Sequence, residues 1–138
     1  MVSPEPAIFV RERDDVGDEF LILACDGIWD VMSNDELCAY IRNRLTVTSN
    51  LQEITAQVID TCFYKQSRDN MTIVLVVFPG APKPTTEAIL AERRLDDAIE
   101  TLISEIIQKN DNSSLEEVLR QLELSKIEGL PPAGLASK

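Results

Sequence analysis

The chain has 138 residues, of which 44% are hydrophobic and 27% charged, a composition typical of a globular protein with a substantial core. A surface with a formal net charge of −11 repels phosphate backbones, so broad binding to nucleic acid and adhesion to anionic lipid are both disfavoured. The sequence contains no histidine, which excludes Ser-His-Asp and Cys-His catalysis and histidine-ligated metal sites within the chain. Its longest apolar runs are too short to cross a bilayer, so we expect no membrane insertion.

Three cysteines, Cys25, Cys38 and Cys62, lie at dispersed positions without a CxxC pair. Their odd number argues against a disulfide framework and favours a reducing compartment, the cytoplasm or the nucleus. Because each falls within an apolar pattern, we predict that all three are packed in the core.

The first part of the sequence has the patterns of two strands. Residues 7–13 predict a short edge strand, and the acidic residues 14–18 predict the turn after it. The unbroken apolar run from Phe20 to Cys25 is typical of a strand buried on both faces. It ends at Asp26-Gly27, which is a turn signal, and Trp29 is expected at or beside the core.

Two helices and a further strand are predicted next. Ser33 and Glu36 have the spacing of a capping box, and a second helix begins near Asn50. The apolar faces of these helices are Leu37, Ile41 and Leu45 in the first, and Leu51, Ile54, Val58 and Cys62 in the second. A polar break over residues 67–70 precedes a second buried strand over residues 71–78, which is rich in isoleucine and valine.

Prolines and a glycine over residues 79–84 predict a boundary, which divides the chain into residues 1–80 and a helical extension over residues 81–138. The extension begins with a long amphipathic helix over residues 86–110. A capping box of Ser114 and Glu117 opens another helix, and residues 129–134 predict an extended or disordered end. The predicted apolar faces are Ile89, Leu95, Ile99, Leu102, Ile103 and Ile106, followed by Leu115, Val118, Leu119 and Leu122.

Acidic residues stand where the two apolar strands end and begin. If these strands are antiparallel neighbours, Asp26 after the first and Asp69 before the second emerge at the same sheet edge. Asp30, four residues beyond Asp26, could face the same place. Convergent carboxylates without histidine suit hard cations such as Mg²⁺ or Mn²⁺. The spacing alone leaves alternatives open: a structural Asp-Gly turn, a capping role for Asp30, or a surface charge pair of Arg68 with Asp69.

Two longer motifs resemble those of one enzyme family. "LACDGIWDV" over residues 23–31 and "SRDNMT" over residues 67–72 resemble motifs of the type 2C (PPM) protein serine/threonine phosphatases. "FPGAPK" over residues 78–83 and the acidic helical tail resemble the animal alpha/beta-type branch. The resemblance implies an α+β fold, with part of a sandwich of antiparallel sheets flanked by helices and a helical carboxy-terminal extension. It also implies a Mg²⁺/Mn²⁺ centre whose activated water hydrolyses phosphoserine and phosphothreonine in phosphoproteins.

The resemblance also assigns residues. Asp26 and Asp69 match metal-binding aspartates of the family, and Asp30 matches the second acid of the first motif, with a weaker claim to metal contact. The chain has no histidine, so it does not contain the family's "DGHGG" motif. We therefore expect the carboxy-terminal part of a phosphatase, inactive without the amino-terminal half, which supplies the other metal and phosphate ligands. The alternative is a non-catalytic interaction module that acts through the acidic helical tail.

Overall fold

The computed structural model describes residues 4–109, 114–125, 127–130 and 135. The described part combines a two-stranded sheet with helices, and its last elements are helical, which confirms the predicted α+β class. None of these helices is both long and apolar enough to cross a membrane. In chain order the elements are β1 (Phe20–Ala24), α1 (Asp26–Trp29), α2 (Asn34–Leu45), α3 (Leu51–Tyr64), β2 (Ile73–Val77), α4 (Thr86–Lys109) and α5 (Leu115–Leu124).

The two apolar runs form the predicted antiparallel pair, with Phe20 opposite Val77 and Ala24 opposite Ile73. Burial alternates along both strands, so one face of the sheet packs on the core and the other is exposed. The exposed face carries Leu21, Leu23, Val74 and Val76. The prediction of strands buried on both faces is therefore wrong, because no element in the described ranges covers that second face.

The predicted edge strand over residues 7–13 is also wrong. These residues adopt no regular structure, and the side chain of Phe9 is 93% exposed. A strand needs a neighbour for its backbone hydrogen bonds, and within the described part of the chain β1 pairs with β2 instead. The turn that follows is confirmed, since the Asp18 N–H donates to the Asp14 carbonyl at 2.9 Å.

Helices α2 and α3 form as predicted. The Ser33 hydroxyl accepts from the Glu36 N–H, the Glu36 carboxylate accepts from the Ser33 N–H, and Asn50 caps α3. Burial of their apolar faces is the main stabilising contribution, at about 1.5–3 kcal/mol for each large side chain. The fully buried side chains of the core are Ile28, Met32, Leu37, Ile41, Ile54, Val58 and Cys62.

The prediction that all three cysteines are packed in the core is only partly correct. All three are free thiols, and Cys62 is buried in the core. Cys25 is half-buried, whereas Cys38 is exposed on α2, so its predicted core position is wrong. Cys38 directly follows Leu37 on α2, and a helix that buries Leu37, Tyr40 and Ile41 turns positions 38 and 39 to solvent. Trp29 lies beside the core, as predicted, and its indole N–H donates to the Ala24 carbonyl at 3.1 Å.

Glu36 gives the contact between α2 and α3 a pH dependence. Its carboxylate accepts hydrogen bonds from the Ser33 N–H and hydroxyl and from the Lys65 ammonium, 3.2 Å away. These donors, the Ser33 backbone first, lower the pKa of Glu36 from 4.5 to about 2. A carboxyl group with a depressed pKa stabilises the fold above its unfolded-state pKa, and this contribution is lost as pH falls towards the folded-state pKa.

We therefore expect wild type to melt at a higher temperature than Glu36→Gln near neutral pH. The difference should shrink as pH falls from about 5 to about 2, because protonation of Glu36 removes the same charge. Thermal unfolding followed by circular dichroism across this range measures it. Glu53→Gln at the corresponding position of α3 is the control, and a difference between wild type and Glu36→Gln that stays constant with pH would contradict the assignment.

The long helix of the extension is confirmed as α4 up to Lys109, and Asn110 lies outside the described residues. Val118 and Leu122 of α5 pack against Ile106 of α4. Leu115 was predicted on the same face but is 74% exposed, because it is the first residue of α5 and projects beyond the contact. The predicted extended end is described only at residues 129 and 130, where Gly129 lies in a turn; residues 131–134 lie outside the described ranges.

The predicted capping box at α5 is incomplete. The Ser114 hydroxyl accepts from the Glu117 N–H at 3.3 Å. The Glu117 carboxylate, however, accepts from the side chains of Arg120 and Gln121 instead of returning to the cap. Arg120 and Gln121 lie three and four residues after Glu117 on the same helical face. They therefore compete with the Ser114 backbone N–H for the Glu117 carboxylate.

The extension contacts the preceding helices directly. The Arg44 side chain of α2 is only 7% exposed, and its guanidinium forms an ion pair with Glu92 of α4. The Thr85 N–H donates to the Thr46 carbonyl at 3.0 Å. On α3, the Tyr64 hydroxyl donates to the Glu123 carboxylate of α5 at 3.1 Å. The helices of the extension are thus tied to α2 and α3 by polar contacts.

Candidate metal centre

The antiparallel pairing brings the two conspicuous motifs to one edge of the sheet. The strand register continues past Ala24, since the Cys25 N–H donates to the Thr72 carbonyl at 3.2 Å. Asp26 follows this pair directly, and Asp69 lies three residues before Thr72. The backbone segments that carry the two aspartates therefore meet where the sequence analysis placed them.

Asp26 and Gly27 form the start of helix α1, and the prediction of a turn at this point is wrong. The Cys25 carbonyl accepts from the Ile28 N–H at 3.1 Å, and the Asp26 carbonyl accepts from the Asp30 N–H at 2.8 Å. Gly27 is buried, and a Cβ atom at this position would lie 2.3 Å from the Asn70 carbonyl oxygen. Glycine is thus required for the close approach of two backbone segments, not for a sharp turn.

Two side chains join these segments, and the sequence analysis assigned neither contact. The buried Ser67 hydroxyl donates to the Gly27 carbonyl at 2.7 Å. The Cys25 thiol donates to the Asn70 carbonyl at 3.1 Å and accepts from the Thr72 N–H at 3.2 Å. A signal was available, because extending the strand pairing beyond the apolar runs places Cys25 opposite Thr72.

The predicted ligands Asp26, Asp30 and Asp69 are all exposed. Asp69 is oriented by the Asn70 N–H, which donates to its carboxylate at 2.7 Å. No ion pair joins Arg68 to Asp69, although the structure describes both residues. Asp30 is the C-cap residue directly after α1, about one helical turn beyond Asp26.

The donor chemistry fits a hard divalent cation, but the number of donors does not complete a site. Exposed carboxylates offer the oxygen ligands that Mg²⁺ and Mn²⁺ prefer. Among the described residues, however, no cluster of three or more acidic or thiol side chains is close enough to hold an ion. The acidic side chains at this edge of the sheet could therefore form no more than one side of a metal centre.

Comparison with known proteins matches the whole chain. Residues 1–71 match the family described as "Protein phosphatase 2C", and residues 72–138 match "Protein serine/threonine phosphatase 2C, C-terminal domain". The chain is 50% identical to "Protein phosphatase 1A" of Bos taurus and of Homo sapiens, over its full length and 37% of theirs. It is 47% identical to "Protein phosphatase 1B" of Homo sapiens, over its full length and 29% of that protein. The chain thus spans about a third of the length of these relatives.

Proposed function

Because the chain belongs to the protein phosphatase 2C family, we propose that it is the carboxy-terminal portion of a metal-dependent protein serine/threonine phosphatase. The observation that carries the proposal is the meeting of its two motifs at one sheet edge. There the segments around Asp26 and Asp69 are joined by backbone and side-chain hydrogen bonds. Its substrates are phosphoproteins that carry phosphoserine or phosphothreonine.

Within this proposal, Asp26 and Asp69 hold Mg²⁺ or Mn²⁺, and Asp30 has a lesser part in the same site. When bound, the ions supply charge neutralisation and an activated water for attack on phosphorus. The chain's own contribution is to present both carboxylates from a rigid edge, with Asp69 held by the Asn70 N–H. Three free thiols support a location in the cytoplasm or nucleus, where disulfides are rare.

The proposed enzyme needs more than these residues. Mg²⁺ takes about six oxygen ligands in octahedral geometry, and several of them are commonly water. Asp26, Asp30 and Asp69 supply too few protein oxygens for two ions, so the amino-terminal half of the catalytic domain must contribute others. Residues 1–80 are proposed as the catalytic part, and residues 81–138 as the helical extension.

Joining the chain to the part of bovine protein phosphatase 1A that it does not match tests the function. We expect the joined protein to release phosphate from a phosphothreonine peptide when Mn²⁺ is present, and to stop when the ion is chelated. The 138-residue chain alone should release little or none. A joined protein that melts cooperatively but hydrolyses nothing at saturating Mn²⁺ would overturn the proposal.

The alternative function, an interaction module acting through the helical tail, gains less support from the fold. The apolar face of α5 is occupied, because Val118 and Leu122 pack against Ile106 of α4. A helical face packed within its own chain is not offered to a partner.

A further inference from the structure

At the end of the sheet, a side chain accepts a hydrogen bond that a backbone carbonyl would normally accept. Cys25 and Thr72 are the next antiparallel pair after Ala24 and Ile73. Every second antiparallel pair exchanges two backbone N–H···O bonds, and Cys25 with Thr72 stands at such a position. Here the Cys25 N–H donates to the Thr72 carbonyl, but the Cys25 carbonyl accepts from the Ile28 N–H, at the start of α1. The helix thus takes the acceptor that the Thr72 N–H would otherwise use.

The Cys25 thiol takes the place of that acceptor. The Thr72 N–H donates to the sulfur at 3.2 Å, and the thiol donates in turn to the Asn70 carbonyl at 3.1 Å. Cys25 directly precedes Asp26, and Asn70 directly follows Asp69. The thiol therefore joins the two segments immediately beside both candidate ligands.

Ser67 makes a second link on the other side of the same residues. Its hydroxyl, which is buried, donates to the Gly27 carbonyl at 2.7 Å. Gly27 directly follows Asp26, and Ser67 lies two residues before Asp69. Each aspartate is thus flanked on both sides by residues that are bonded or packed to the other segment, and Gly27 lets the segments approach this closely.

We propose that Cys25 and Ser67 are positioning residues, which fix the separation of Asp26 and Asp69 for a shared divalent cation. This inference rests on the proposed function of the two aspartates as metal ligands. Groups that orient metal ligands typically contribute about 10- to 100-fold in metal affinity. Cys25 and Ser67 act through the backbone and touch no ion themselves.

Mn²⁺ titration of the joined protein, which also carries the amino-terminal ligands, tests the inference when it is followed by paramagnetic broadening of backbone amide NMR signals. In the joined protein with the wild-type sequence of this chain, we expect the amides next to Asp26 and Asp69 to broaden together, with one apparent dissociation constant. In the double variant Cys25→Ala/Ser67→Ala, that constant should rise about 10-fold or more. Cys25→Ser, which keeps a donor and an acceptor, should restore most of the affinity to the Cys25→Ala single variant. Cys38→Ala, at the exposed cysteine of α2, is the matched control and should bind as wild type does.

Two outcomes separate the inference from the function on which it rests. If wild type shows no joint broadening around Asp26 and Asp69, the proposed metal site fails and the positioning role falls with it. If wild type shows joint broadening and the double variant shows it at the same Mn²⁺ concentrations, the positioning role alone is overturned. Amide signals of α2 and α3 that keep their wild-type positions show that the variants remain folded. A loss of Mn²⁺ affinity is then due to the altered segments around Asp26 and Asp69.

Discussion

Replacing Asp69 with asparagine is expected to lower kcat/KM of the joined phosphatase at least about 100-fold, because a direct ligand should contribute no less than the groups that orient it. Asparagine keeps the size of the side chain and one oxygen donor but removes the negative charge that attracts the cation. The Asn70 N–H that now donates to the Asp69 carboxylate can still donate to the amide oxygen, so the loop should keep its shape. Asp26→Asn should have an effect of the same size.

The measurement is phosphate release from a phosphothreonine peptide over a range of Mn²⁺ concentrations. A ligand variant should need more Mn²⁺ for half-maximal rate, whereas loss of folding would lower the rate without that shift. Asp60→Asn, on the exposed side of α3, is the control for removing one acidic charge. Asp30→Asn should fall between the control and the two ligand variants. An Asp69→Asn enzyme with wild-type kcat/KM and Mn²⁺ requirement would remove Asp69 from the proposed site.

The helices were predictable because the signals that form them are local. Ser33 and Glu36 are three residues apart, and their reciprocal hydrogen bonds depend only on that spacing. Leu37, Ile41 and Leu45 share one face at helical spacing, and all three are buried. At α5 the same spacing produces only half of the capping box, because Arg120 and Gln121 compete for the Glu117 carboxylate.

Features that depend on a distant partner were harder to predict. Residues 7–13 have the composition of a strand, yet nothing in their own sequence supplies a neighbour with which to pair. The two strands that do pair were predicted, because both are strongly apolar, but their second face was wrongly taken as buried. Leu23 is 55% exposed on that face.

The candidate site shows the same division between local and distant information. The motifs identify Asp26 and Asp69, and antiparallel pairing predicts that their segments meet. The thiol link does not follow from the motif, because it arises only when α1 takes the Cys25 carbonyl and leaves the Thr72 N–H to the sulfur. Gly27 was predicted as part of a turn, whereas the structure uses it for the close approach to the Asn70 carbonyl, which no local sequence rule predicts.

Replacing Gly27 with alanine should test that close approach and is expected to destabilise the chain by about 1–3 kcal/mol, the usual cost of overpacking. The added Cβ would lie 2.3 Å from the Asn70 carbonyl oxygen and 3.2 Å from Met71 Cγ. The Met71 side chain can rotate away, but the carbonyl belongs to the backbone of the opposing segment. Relief of the contact therefore requires the two segments to separate by roughly 1 Å.

That separation should also weaken the links made by Ser67 and Cys25, so Gly27→Ala should lose Mn²⁺ affinity as well as stability. Urea denaturation measures the stability, and the NMR titration described above measures the affinity. Gly17→Ala is a control, because its Cβ would meet the Asp14 carboxylate at 2.4 Å, at the end of an exposed side chain that accepts a hydrogen bond from the Val16 N–H. Displacing that carboxylate disturbs only exposed hydrogen bonds of the turn, so Gly17→Ala should unfold close to the wild-type midpoint. Equal stabilities for Gly27→Ala and Gly17→Ala would show that the segments around Asp26 and Asp69 are not held in close contact. The proposal of a rigid edge for the metal centre would then be untenable.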